Sequence, residues 1–212
     1  MAQGADRIAK AVFIEAPQDA PEKVYFAAPN QPGIEVALPT RNFSPDIELP
    51  AGNLTYAVLP RPLAEGEAIP KGAPLVKIPE AWSRCYLLFL FHSENKFLPI
   101  KVIPIDGSAK NFPLGDSRIV NLSKAMVMGK FGENVVRIRP GKIEDLKAPI
   151  KKFGPYLVAI DFLMKGDEKS TALSRTTWQH DPLSRKVVLI TEPEGVKFPR
   201  LRTLQDRVKV EQ

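Results

Sequence analysis

The sequence predicts an all-β protein, an antiparallel β-sandwich architecture of two related immunoglobulin-like units. Three observations carry this expectation. Apolar residues come in short, often alternating runs; 21 prolines and 13 glycines fall between those runs without a fixed period; and few stretches sustain helical spacing over three turns. Alternation is what a half-buried strand requires, and proline and glycine are the residues that join short strands. At 212 residues and 44% hydrophobic composition, the chain can bury its cores without a metal or a disulfide.

In chain order the predicted strands are Ala11–Glu15, Lys23–Ala28, Ile34–Leu38, Leu54–Leu59, Leu75–Ile78, Cys85–Phe91, Leu98–Ile105, Arg118–Leu122, Val135–Arg139, Tyr156–Phe162, Ser174–Gln179 and Lys186–Thr191. Each is a short run of β-branched, aromatic or aliphatic residues bounded by turn formers. Short helices are left open at Ile143–Lys147, after the Pro140-Gly141 turn, and at Leu201–Val208, neither long enough to make a helical layer.

Laid over itself, the chain matches Leu49–Leu59 with Phe112–Leu122 and Val24–Ala28 with Leu87–Phe91. Pro50 and Pro113 would hold the start of a turn, and Gly52 and Gly115 would supply its backbone freedom. A further echo begins at Tyr156. The expected division is therefore a β unit at 1–82, a β-sandwich unit at 83–197 and a basic tail at 198–212.

The longest strongly apolar run, Cys85–Phe91, is far short of the roughly 20 residues of a membrane-spanning helix. The opening Met1-Ala2-Gln3 has the small and polar character that follows a cleaved export signal, so the periplasm or cell envelope is the expected setting, with the cytoplasm left open. A single cysteine, Cys85, permits no internal disulfide; at the head of an apolar strand it is expected as a buried thiol.

The net charge is +6, and residues 118–152 hold nine basic side chains against Glu133, Glu144 and Asp145. Such a stripe suits an acidic polymer, with Arg137, Arg139 and Lys142 as its candidate contacts. The simpler reading is a solvated strand face, because Arg137 and Arg139 alternate with Val136 and Ile138. Few aromatics interleave with the stripe, which speaks against nucleic acid.

Only His92 and His180 are available as bases, and no nucleophile motif, phosphate loop or metal-ligand spacing accompanies them. No cofactor or metal is expected. The richest polar cluster is Arg175–Pro182, where Trp178, His180 and Asp181 are the candidate ligand contacts, since an aromatic ring beside planar polar groups is a common way to hold a sugar. The competing and preferred reading puts Trp178 in the core and a hairpin turn at His180–Leu183. Asp161, inside an apolar run, needs an arginine or backbone amides as partner.

The phrase Phe112-Pro-Leu-Gly-Asp-Ser-Arg-Ile-Val-Asn-Leu-Ser, followed by Gly129-Lys-Phe-Gly132, Arg139-Pro-Gly141 and the later Ser174-Arg-Thr-Thr-Trp178 running into Arg185-Lys-Val-Val-Leu-Ile190, resembles uncharacterised exported bacterial β-sandwich proteins over about residues 85–191. The resemblance implies a sandwich and an envelope setting, and it carries no catalytic residue across. The function expected is a non-catalytic binding or structural role toward a protein or glycan. A carbohydrate-active site at Trp178, His180 and Asp181, or acidic-polymer binding at 137–152, are the alternatives.

Overall fold

The computed structural model describes residues 7–29, 31, 33–193 and 195–207, and every regular element among them is a β-strand. The strands are β1 (Arg7–Ile14), β2 (Lys23–Ala27), β3 (Ile34–Ala37), β4 (Ile47–Leu49), β5 (Leu54–Leu59), β6 (Leu75–Ile78), β7 (Arg84–Phe91), β8 (Ile100–Asp106), β9 (Ser117–Asn121), β10 (Met126–Phe131), β11 (Asn134–Ile138), β12 (Ile143–Leu146), β13 (Gly154–Leu163), β14 (Thr171–His180), β15 (Ser184–Thr191) and β16 (Arg200–Arg207). All twelve predicted strands are present. No helix forms at the two places left open for one: Ile143 opens β12, and Leu201 lies within β16.

The chain forms two compact units, Met1–Asn111 and Phe112–Gln212. In unit 1 the sheets run β4-β1-β7-β8 and β3-β2-β5-β6; in unit 2 they run β12-β9-β15-β16 and β11-β10-β13-β14. The expected boundary after residue 82 falls inside unit 1, because β7 pairs in parallel with β1 and β8 closes onto β7. A break there would strip the first sheet of half its strands. Likewise the expected basic tail is largely β16, hydrogen-bonded along β15 from Arg200 to Arg207; residues 208–212 lie outside the described residues.

Unit 2 repeats unit 1 strand for strand, β9 to β16 following the pairing of β1 to β8. This is a different frame from the one the sequence suggested, which laid β2 on β7. Sheet register fixes the equivalences. Phe26 pairs toward Val58 as Phe131 pairs toward Val158, which aligns Tyr56 with Tyr156. Ala9 faces Cys85 as Ser117 faces Lys186, which aligns Cys85 with Lys186.

Alternation builds the cores. In unit 1, Phe13, Phe26, Val58, Leu87 and Phe89 are fully buried together, and Tyr56 stacks on Phe26 at 5.3 Å. Each such side chain contributes about 1.5–3 kcal/mol on burial. Phe26→Ala would cost about 3–5 kcal/mol, since close-packed interiors do not refill a ring-sized hole. Ile119, Phe131, Val158, Val188 and Ile190 do the same for unit 2. Gly129 is required at its position on β10: an added Cβ would lie 2.5 Å from the Phe131 ring.

Candidate functional site

The candidate ligand contacts singled out by sequence lie in unit 2, and strand geometry sorts them into an inner and an outer set. On β14, Trp178 pairs with Tyr156 and faces the core, while Arg175 and Thr177 pair with Ala159 and Leu157 and face outward. Successive side chains of a strand alternate between faces, so this division follows from register alone.

Trp178 packs at 5.6 Å from Phe131 and edge-on to Tyr156 at 6.3 Å. Lys186 completes the arrangement. Its Nζ stands 4.8 Å from the Trp178 centroid and 5.3 Å from that of Tyr156. It also donates to Tyr156 Oη at 3.2 Å and to the Gln179 carbonyl at 3.1 Å. Burial pushes the Lys186 ammonium down to about 8 and the Tyr156 hydroxyl up to about 12. The parity of Lys186 with Val188 and Ile190 places it on the buried face, a signal that reading the sequence for chemistry alone passed over.

His180 is buried, its ring against Gly115. Burial, and next the charge of Lys186, hold it below the usual imidazole value. Asp181 accepts the Leu183 amide at 2.9 Å and meets Arg207 Nε at 3.3 Å. Trp178, His180 and Asp181 therefore form no open ledge: two face inward and the third caps a turn. That turn, at Asp181–Leu183, carries the chain from one sheet to the other rather than closing a hairpin, since β14 and β15 belong to different sheets.

Arg137, Arg139 and Lys142 are exposed. Arg137 lies outward on β11 opposite Met128, and the Lys142 amide donates to the Arg139 carbonyl at 3.2 Å in the turn that follows. Asp161 has the arginine its setting demanded, with Arg175 Nη2 at 2.5 Å from Oδ1. Cys85 is a fully buried thiol, pushed up to about 12 by burial. Among the described residues no three His, Cys, Asp or Glu side chains converge.

The outer face of β11-β10-β13-β14 holds what sequence reasoning missed. Val135 is 76% exposed and Leu157 73%, the highest values among the large hydrophobic residues described; Phe153, in the segment just before β13, follows at 70%. Lys130 pairs between Val135 and Ala159 on that face, and Ala159 pairs with Arg175. An open groove of about 670 Å³ crosses it, lined among others by Lys130, Pro149, Ile150, Leu157, Arg175 and Thr177.

No family model matches the chain, and no curated protein matches it in sequence. The geometry of unit 2 therefore carries the functional reading. Unit 1 also holds a groove of about 670 Å³, beside Tyr25, Leu63 and Ile69. Of the residues around it, Glu67 binds Arg61, and Tyr25 donates to Glu35, which also binds Lys23. Pairing holds the Glu67 carboxyl down at about 2.

Proposed function

We propose that the protein is a non-catalytic binding module of the bacterial cell envelope, its two units immunoglobulin-like, and that the outer face of β11-β10-β13-β14 receives a partner polypeptide. The observation that carries this reading is the grouping of Val135 and Leu157, each more than 70% exposed, with Lys130, Arg137 and Arg175 on one sheet face. Exposed apolar groups set among polar ones are the mark of an interaction surface, and cations beside them favour an acidic partner. Two antiparallel-rich four-stranded sheets per unit support the immunoglobulin-like reading. The envelope setting rests on the resemblance of residues 85–191 to exported sandwich proteins. The buried aromatic box around Lys186 supports a structural role for that cluster rather than a sugar-binding one.

The test is binding of fluorescent extended peptides of alternating glutamate and valine, measured beside polyglutamate and heparin at low and high salt. The alternating peptide binds, and Leu157→Asp or Val135→Asp weakens it tenfold or more. Heparin or polyglutamate binding more tightly, with no response to either substitution, would instead support an acidic-polymer site at Arg137, Arg139 and Lys142.

A further inference from the structure

Each four-stranded sheet has two edges, and seven of the eight edge strands are guarded against pairing. β4 has three residues, β3, β6 and β12 have four each, and β11 has five. β8 has seven but contains Pro104, which has no amide to donate. β16 has eight, of which Arg200, Arg202, Asp206 and Arg207 are charged. Short length, proline and charge are the means by which sheets blunt their edges.

β14 is the least guarded of the eight: it is neither short nor interrupted by proline, and its guards are one charge, Arg175, and one bulge. It runs ten residues, Thr171–His180, with Arg175 its sole charged residue besides the buried His180. The bulge at Leu173, opposite the Ile160–Asp161 step, leaves Ser174–Gln179 as the regular stretch. Its counterpart β6 in unit 1 is a four-residue strand, so the length is a feature of unit 2 alone.

A second observation concerns the inner side of this edge. Thr176 pairs with Val158 and shares its inward face, yet Val158 is buried and Thr176 is exposed. Trp178 next to it is only partly buried. The lip of the sandwich therefore stands open along β14, where one more strand would cover it.

We propose that β14 is an acceptor edge, and that an extended segment of the partner polypeptide, alternating apolar and acidic residues, adds there as a fifth strand beside β13-β14. The proposal rests on the binding-module reading and names its partner's chemistry. Alternate backbone N–H and C=O groups between Ser174 and Gln179 point away from β13 and supply the ladder, while the Ser174 and Gln179 carbonyls already accept from Arg175 and Lys186. Apolar side chains of the added strand turn inward and cover Thr176 and Trp178. Its acidic side chains turn outward beside Arg175, whose guanidinium is half exposed although it already holds Asp161.

The experiment uses the full chain and the alternating glutamate–valine peptide, N-methylated at every second residue in each of the two possible registers. Methylation removes backbone donors and leaves the side chains in place. Methylation in one register costs tenfold or more in affinity and in the other costs little, while hydrogen exchange at 174–179 slows when the unmodified peptide is added. Equal binding by both methylated peptides, still weakened by Leu157→Asp, would overturn strand addition and leave face docking standing. Slow exchange at 174–179 that depends on protein concentration without peptide would also overturn it, assigning the edge to a second copy of this chain. Absence of any peptide binding would overturn this proposal together with the reading beneath it.

Discussion

Lys186 Nζ lies 4.8 Å from the Trp178 ring centroid, at the core position that Cys85 occupies in unit 1. Duplication has placed a cation where the sister unit has a thiol. The cation is held by two aromatic rings, a phenol oxygen and one carbonyl. Cation–π contacts of a desolvated ammonium contribute about 2 kcal/mol and offset part of the burial cost.

Lys186 makes stability depend on alkaline pH. Its folded value is about 8 against an ordinary 10.5, so between those limits the unfolded chain binds more protons and stability rises with pH. Tyr156 acts oppositely: its folded value is about 12 against 10, so stability falls as pH passes from 10 toward 12. Chemical unfolding at several pH values should show a gain of about 1–3 kcal/mol between pH 8 and about 10. Lys186→Met should remove that gain. An unchanged profile in the variant would assign the dependence to other groups.

The two repeated tyrosines should respond differently to loss of their hydroxyl. Tyr56 Oη is buried and has no hydrogen-bond partner among the described residues, whereas Tyr156 Oη accepts from Lys186. A buried polar atom without a partner is a cost, so Tyr56→Phe is expected to be neutral or to stabilise by up to about 1 kcal/mol. Tyr156→Phe strips an acceptor from a buried ammonium and should destabilise by about 1–2 kcal/mol. Urea midpoints of the two variants decide the matter, and the same sign for both would contradict it.

The strand skeleton was legible because alternation and turn residues act locally. Val24, Phe26, Val36, Tyr56 and Val58 each announce their face by parity. The missed strands lacked that local signal. β4 is three residues long, and β10 has Gly129 in the middle of its buried face. In β12 only Leu146 is buried, and in β16 the buried Leu204 and Asp206 lie on the face opposite Leu201, which packs on the core, so neither strand shows a one-faced alternation. The repeat was visible but misframed, because its equivalences are set by cross-strand register: Cys85 answers to Lys186, a pair that shares no chemistry, and Ala9 to Ser117. The exposed apolar face of unit 2 was illegible for the same reason. Whether Leu157 is core or surface depends on which side of β13 the second sheet covers, and Ile160 and Leu157 look equally apolar in sequence.

His180 predicts an acid-side loss of stability. Burial and the nearby Lys186 charge lower its folded value from 6.5, against the opposing pull of Asp181 and Asp116. Below about pH 6.5 the unfolded state takes up the proton first, so stability declines as pH falls through that window. His180→Gln keeps a planar polar side chain and lacks the titration. Thermal unfolding from pH 7.5 to 4.5 should be flatter in the variant than in the parent; parallel curves would place the acid response elsewhere.

One ion pair occurs at the same place in both units with different surroundings, and the difference sets its energetic weight. Lys10 and Asp46 pair at 3.4 Å, with side chains 18% and 51% exposed. Arg118 and Asp145 pair through two bonds of 2.5 and 2.8 Å, with the arginine side chain 7% exposed. Arg118 also lies 4.7 Å over the Phe112 ring, so its guanidinium is fixed on one side by an apolar surface. Asp46 is half exposed and also meets Arg84 at 3.7 Å, so water screens both of its pairs, and pairs of this kind contribute about 0–1 kcal/mol. Water reaches Arg118 poorly, and a charge buried without its partner is expensive. Because Asp145 is itself 44% exposed, the full buried-pair figure is reduced. Asp145→Asn is therefore expected to cost about 1–3 kcal/mol and Asp46→Asn less than about 1 kcal/mol, with unfolding in 0.5 M salt narrowing the gap only slightly. Equal losses in the two variants would show that the fork geometry around Arg118 adds nothing to the stability of unit 2.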